Sequence, residues 1–187
     1  MPKKYELLKN PKPGNDYDIS IWDDIDDYEE YEKLLAEVAK IGADDSVRLF
    51  VSTPGGRCDI GFMLIDRIMG LECPVEVIVP YPTYSMGAIM ALCGDSLEVQ
   101  PGGFLMFHDY SSGGGRSKGN EQLKHAEAYK ETFDYKFNSI CQPFLTKKEC
   151  DDVLNGKDLY IRWNDDENAK IYKNITPLTT RIKRHFK

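Results

Sequence analysis

The segment from Val75 to Val79 is an almost uninterrupted run of β-branched residues, which is typical of a strand covered on both faces of a parallel sheet. An apolar helix of small residues follows it, beginning near Ser85. Earlier in the chain, a helix predicted at 26–41 precedes a strand at 47–52, and Asp59 opens a second helix. Strands that alternate with helices predict an α/β fold built from βαβ units.

The second half of the chain continues this pattern and contains no repeat or linker, so we expect one main domain. The N-terminal residues 1–18 carry three prolines and a glycine, which favours a loop or a loosely held arm. The remaining predicted elements are strands at 96–99, 104–107 and 159–161, a long helix from 120 to about 144, a short helix opened by the capping box at 146–149, and a last short helix capped by Asp165.

Composition excludes several classes of function. The 187 residues carry a net charge of −7, which argues against a general role on nucleic acid or membrane surfaces. The exception is a basic C-terminal tail at 176–187, which we interpret as a solvated terminus or a subunit contact. The five cysteines have no metal-ligand spacing, so we expect no metal and no cofactor. Their spread, together with an N-terminus that lacks a signal-peptide pattern, predicts a cytoplasmic protein.

Three polar motifs follow predicted strands. Ser85 lies at a strand-to-helix corner, Pro54-Gly55-Gly56 follows the strand at 47–52, and His108 ends the strand at 104–107. The carboxyl ends of neighbouring parallel strands meet at one edge of a sheet, where ligands bind. A hydroxyl, an imidazole and a glycine loop at one edge predict nucleophilic catalysis by serine.

Such chemistry also needs a group that orients the base and two donors for the oxyanion. The N–H groups of Gly56 and Met86 are the candidate donors, because one lies in the glycine loop and the other follows the serine. Asp158 is the best third member of a triad, with Asp109, Asp165 and Asp166 as competitors. Thr83 interrupts the Gly-x-Ser-x-Gly elbow, which disfavours an α/β-hydrolase.

Taken together, these residues resemble the proteolytic subunits of Clp proteases (ClpP), the peptidase partners of AAA+ unfoldases. The resemblance runs from about Ile19 to Ile175 and rests on motifs that agree in type, order and approximate spacing. These motifs are Ser52-Thr53-Pro54-Gly55-Gly56, Tyr84-Ser85-Met86-Gly87-Ala88, Met106-Phe107-His108, the segment from Gly113 to Phe144, and Asp158-Leu159-Tyr160.

The resemblance implies a crotonase-like ββα spiral over 19–175, with a protruding handle at about 113–144. It implies a serine endopeptidase that cleaves unfolded polypeptides, in which Ser85 is the nucleophile, His108 the base and Asp158 its orienter. Gly56 and Met86 would form the oxyanion hole. The family assembles as two stacked heptameric rings, so the resemblance also implies a homo-oligomer.

Pairing with a standard AAA+ unfoldase is expected to be weak. Arg48, Glu98 and Gln100 stand where the family usually places aromatic or aliphatic residues for docking unfoldase loops. Desolvating a charge beneath an apolar anchor lowers affinity. Two other functions remain alternatives: a non-catalytic ring subunit or adaptor, and a crotonase-type acyl-CoA enzyme, which also uses backbone oxyanion donors.

Overall fold

A computed structural model of the chain describes residues 5–10, 14–111, 118–142 and 144–162, and it has a mixed α/β architecture. The elements in chain order are β1 (Tyr5–Asn10), β2 (Asp16–Ile21), α1 (Tyr28–Val38), β3 (Ser46–Val51), α2 (Cys58–Met69), β4 (Val75–Val79), β5 (Thr83–Tyr84), α3 (Met86–Met90), β6 (Ser96–Val99), β7 (Phe104–Phe107), α4 (Gly119–Cys141), α5 (Lys147–Leu154) and β8 (Leu159–Arg162).

The larger sheet has five strands in the order β1-β2-β3-β4-β6, with β1 antiparallel to β2 and the other neighbours parallel. Its strands alternate between buried and accessible residues, as in β3, where Val47, Leu49 and Val51 are buried and Arg48 is exposed. The expectation that 75–79 is covered on both faces is wrong at Glu76, which is exposed. The helices therefore cover one face of this sheet, and the other keeps its charged residues in solvent.

The smaller sheet has three strands in the order β5-β7-β8. Strand β5 runs parallel to β7, and β8 runs antiparallel to it. Leu105 and Phe107 of β7 are buried, while Phe104 and Met106 are only half-buried. Phe104 and Met106 therefore lie on the accessible face of the small sheet, on the strand that His108 follows.

Two helices show how the sequence sets local structure. Asp27 caps α1 by accepting hydrogen bonds from the N–H groups of Glu29 and Glu30, as predicted for Asp26 or Asp27. The buried stripe of α4 is confirmed only in its second half, at Phe133, Phe137 and Ile140, because residues 120–132 are all exposed. Within the described ranges, no helix combines the length and apolar character needed to cross a bilayer.

The N-terminal expectation needs correction. Residues 5–10 form β1, and β2 begins at Asp16, although a loop or arm was expected through residue 18. Long-range pairing explains the difference, because Tyr5 pairs with Ile21 and the alternating Tyr17, Ile19 and Ile21 face the core. The short helix expected at Asp165 and the basic tail lie outside the described residues.

Candidate active site

Ser85 occupies the sharp turn between β5 and α3. Its backbone has φ 56° and ψ −125°, and it is the non-glycine residue with positive φ in the described part of the chain. Its N–H donates to the Met106 carbonyl at 2.8 Å, which ties the turn to β7. The Ser85 hydroxyl makes no capping hydrogen bond to α3. Ser85 is half-buried, and its hydroxyl is not bound to the helix that it precedes.

The register of the small sheet brings three predicted residues to one edge. Tyr84 pairs with Met106, and Phe107 pairs with Leu159. One step beyond these pairs lie Ser85 after β5, His108 after β7 and Asp158 before β8. Because β7 is the middle strand, His108 stands between the serine and the aspartate. His108 is half-buried and Asp158 is exposed, and no hydrogen bond joins any two of these three described side chains.

The glycine loop packs directly against Ser85. Gly55 and Gly56 have φ of 103° and 140°, and a Cβ built on Gly55 would lie 2.7 Å from the Ser85 Cβ. Ile25 holds the loop from the other side, since its N–H donates to the Gly55 carbonyl and its carbonyl accepts from the Arg57 N–H, both at 2.7 Å. Only glycine permits this close approach.

Two backbone donors at this turn remain uncommitted. The N–H groups of Gly56 and Met86 donate to no other residue in the described part of the chain. Met86 is the first residue of α3, where a helix leaves its N–H groups without intrahelical partners. Free amides in the turn after Ser85 and in the glycine loop suit the stabilisation of a developing negative charge.

A charged network borders the glycine loop. The Arg57 guanidinium lies 4.5 Å above the Tyr28 ring and donates through Nη2 to Asp59 Oδ2 at 2.8 Å. The Tyr28 hydroxyl donates to the same carboxylate. The hydrogen bond from Arg57 is the largest cause that holds the pKa of Asp59 well below its usual range. The guanidinium is thus fixed beside the loop that carries Gly56, which sequence reasoning did not foresee.

An aromatic cluster covers the accessible face of the small sheet. The Tyr84 and Phe104 rings meet edge to face at 5.2 Å, and the Tyr160 ring lies 5.9 Å from Phe104. Tyr84 directly precedes Ser85, and Tyr160 follows Asp158 by two residues. Apolar surface therefore adjoins the edge where the three polar side chains lie.

Of the three competing aspartates, Asp109 alone lies within the described residues. Asp109 accepts a hydrogen bond from the N–H of its neighbour Tyr110 at 2.9 Å, as expected for a local turn. Asp165 and Asp166 lie outside the described residues. No group of three or more potential metal-ligating side chains occurs in the described ranges.

The three residues expected to weaken unfoldase docking lie at the larger sheet. Arg48 donates to both carboxylate oxygens of Asp18 at 2.8 Å each. Gln100 Nε2 lies 3.5 Å from Glu98 Oε1, and Glu98 pairs with Ile78 in the sheet. Charged and amide groups thus surround the apolar residues Phe50 and Ile78 on this face.

Comparisons with known proteins bear on the family of this chain. The family model described as Clp protease matches residues 15–147. A 66-residue segment is 35% identical to the ATP-dependent Clp protease proteolytic subunit 1 of Chlamydia pneumoniae, a match that covers 34% of this chain and 35% of that protein. The chain therefore matches about a third of the length of this curated relative. The family match contains Gly56, Ser85, Met86 and His108 and ends before Asp158.

Proposed function

Because this chain belongs to the Clp protease family, we propose that it is a serine endopeptidase that cleaves unfolded polypeptides as a proteolytic subunit. Ser85 is the nucleophile, His108 the general base and Asp158 the residue that orients the base. The observation that carries this proposal is the register of the small sheet, which brings these residues to the same edge of three adjacent strands.

The proposed reaction proceeds through an acyl-enzyme. His108 accepts the proton from the Ser85 hydroxyl as Oγ bonds to the carbonyl carbon of the scissile peptide. The N–H groups of Gly56 and Met86 donate to the resulting oxyanion. His108 returns the proton to the departing amine, and the peptide C–N bond breaks. Water then attacks the ester with His108 again as the base, which releases the carboxylate product and restores Ser85.

A second candidate is a non-catalytic ring subunit. The absence of a hydrogen bond among the three described side chains, together with the exposure of Asp158, favours it. Against it stands the general behaviour of catalytic hydrogen bonds, which are often long before substrate binds and shorten in the complex. The strained turn at Ser85 and the two free amides also support the enzyme.

A fluorescent fluorophosphonate separates these candidates. This probe forms a phosphorus–oxygen bond with an activated serine and expels fluoride. We expect the wild-type chain to be labelled and the Ser85→Ala variant to lose the label and all peptide cleavage. Ser46→Ala is the matched control, since Ser46 lies at the opposite end of β3 and donates to Asp16. Labelling of Ser85→Ala at the wild-type level would refute the assignment, and an unlabelled wild type would favour the non-catalytic subunit.

The proposal extends to architecture and partners. The spiral of ββα units carries α4 as its handle, and the chain assembles with copies of itself into stacked rings in the cytoplasm. The five described cysteines, all free thiols, support a reducing compartment. An AAA+ unfoldase binds weakly if at all, because the Arg48–Asp18 ion pair lies on the face that an apolar loop would have to cover.

A further inference from the structure

Thr53 is a buried polar residue that the proposed reaction does not use. It lies two residues after β3, with 1% of its surface exposed. Its hydroxyl donates to the Asp23 carbonyl at 2.7 Å and accepts from the Gly55 N–H at 3.0 Å. The hydroxyl therefore joins the segment before α1 to the glycine loop, and it engages the amide that directly precedes Gly56.

The other groups of Thr53 contact the turn that carries Ser85. Its carbonyl accepts from the Tyr84 N–H at 2.9 Å. A Cβ built on Gly87 would lie 2.4 Å from the Thr53 methyl, so this methyl already fills the space beside the first turn of α3. One residue thus links the glycine loop to the residues on both sides of Ser85.

These contacts determine which glycine amide stays free. The Gly55 N–H donates to the Thr53 hydroxyl, and the Gly55 carbonyl accepts from the Ile25 N–H, so both backbone polar groups of Gly55 are paired within the protein. The next amide, that of Gly56, has no such partner among the described residues. Removing the Thr53 hydroxyl would leave a buried Gly55 N–H unpaired, and the loop would have to rotate for that N–H to reach another acceptor.

We propose that Thr53 is a positioning residue that sets the Gly56 amide against Ser85 for oxyanion stabilisation. This inference rests on the proposed serine-peptidase function. Thr53 touches neither substrate nor the reacting atoms, and it acts through the Gly55 N–H and the Tyr84 N–H. A displacement of about 1 Å in a reacting group is enough to cost about 100-fold in rate.

The test compares variants that differ only in the hydroxyl. Thr53→Val keeps the shape of threonine, and Thr53→Ser keeps the hydroxyl while losing the methyl. The readout is the rate of phosphonylation by a fluorophosphonate at a series of probe concentrations. Two quantities are fitted: the limiting rate constant at saturating probe, and the probe concentration at which the rate is half of that limit. We expect Thr53→Val to lower the limiting rate about 10- to 100-fold, with the half-saturating concentration changed less than about twofold. Thr53→Ser should stay within about threefold of wild type.

Three further variants control for misfolding and for the peptidase assignment. If Thr53→Val does not fold, the pair Thr53→Ser and Thr53→Ala repeats the comparison at smaller volume, and we expect only the alanine variant to be slow. Ser46→Ala controls for loss of a hydroxyl at the far end of β3 and should react as wild type. Equal rates for the hydroxyl and hydroxyl-free variants would overturn the role of Thr53 while leaving the peptidase assignment intact. Full labelling of Ser85→Ala would instead overturn the peptidase assignment itself.

Discussion

The backbone at Ser85 has a conformation that non-glycine residues rarely adopt. A φ of 56° with ψ −125° costs about 1–3 kcal/mol, and neighbouring hydrogen bonds must hold it. The Ser85 N–H donates to Met106, and its carbonyl accepts from the Ile89 N–H at 3.2 Å. Since the hydroxyl makes no capping bond, it does not offset the strain. A backbone outlier at this position supports a functional role for the residue.

This strain predicts that two inactive variants differ in their free energy of unfolding. Ser85→Gly should be about 1 kcal/mol more stable than Ser85→Ala, because glycine adopts positive φ at little cost. Ser85→Ala itself should lie within about 0.5 kcal/mol of wild type, since no capping bond is lost. The measurement is the free energy of unfolding from urea titration. An alanine variant as stable as the glycine variant would show that the turn is unstrained.

The contact between Gly55 and Ser85 predicts a loss of activity that strain alone does not produce. Gly55→Ala places a methyl 2.7 Å from the Ser85 Cβ, whereas Gly102→Ala, at a similar φ of 92°, meets nothing within 4 Å. Both variants should lose about 1 kcal/mol to backbone strain. Only Gly55→Ala should lose more stability and at least about 10-fold in fluorophosphonate labelling rate.

Fluorophosphonate labelling and urea titration of the two glycine variants together separate a local effect at Ser85 from a general loss of stability. Labelling of both Gly55→Ala and Gly102→Ala at the wild-type rate would mean that the glycine loop does not approach the nucleophile as closely as the structure has it. Slow labelling in both would assign the effect to a general loss of stability.

The sequence allowed candidate site residues to be named, but it did not predict their arrangement. Ser85 and His108 were recognisable because each follows an apolar run that ends at a polar corner. Strand β5, with only two residues, has no periodicity to detect, so the order β5-β7-β8 was not predictable. Thr53 was also missed, because a threonine before Pro-Gly-Gly looks like an ordinary turn residue. Its importance comes from three long-range contacts that only folding creates.

At the scale of elements, the same limit explains the missed strands. The three prolines and the glycine of residues 1–18 favoured a loop or arm, and they concealed the strands β1 and β2. Strand β1 forms its hydrogen bonds by pairing with β2, from Tyr5 with Ile21 to Asn10 with Asp16. Local composition does not predict such long-range pairing. Elements with strong local signals, such as the capping box at Thr146 and Glu149, were predicted within a residue.

Asp45 links the residues after α1 to the residue before β2, and its hydrogen bonds predict that the stability of the fold depends on pH. Its carboxylate accepts from the Gly42 N–H at 2.7 Å and from the Asn15 N–H and side-chain amide at 2.7 and 2.9 Å. The Gly42 bond is the largest cause that lowers the pKa of Asp45, and Lys9 adds to it. Because the pKa is lower in the folded state than the value of about 3.9 in unfolded chains, this stabilisation is complete at neutral pH. It disappears as the pH falls through the folded pKa.

We therefore expect Asp45→Asn to be destabilising at pH 6 and to differ less from wild type at pH 3. The measurement is the urea midpoint of each protein at both pH values. Asp44→Asn is the matched control, since the Asp44 side chain is exposed and makes no hydrogen bond to the described residues. A difference between Asp45→Asn and wild type that is the same at both pH values would contradict the linkage.

At the scale of the whole molecule, apolar residues remain uncovered on one long helix. Leu123 and Tyr129, both on the predicted apolar stripe of α4, are 62% and 41% exposed. The sequence predicted a continuous apolar stripe along this helix, yet residues 120–132 are all exposed, and the Tyr129 ring meets one other aromatic ring, that of Tyr110 at 5.0 Å. Exposed apolar surface of this kind is typical of a protein interface. In the proposed assembly, we expect two rings to meet at this half of α4.

Native mass spectrometry tests that placement. Fourteen copies of a 21.4 kDa chain give about 300 kDa, which we expect for wild type and for Ser85→Ala. Leu123→Asp should yield seven copies of about 150 kDa, because burying an unpaired carboxylate in an apolar contact is costly. Lys124→Asp introduces the same side chain one position along, away from the apolar stripe, and should keep the larger mass. A wild-type mass of 21.4 kDa would contradict the ring, and a Leu123→Asp mass of 300 kDa would place the contact between rings elsewhere on the molecule.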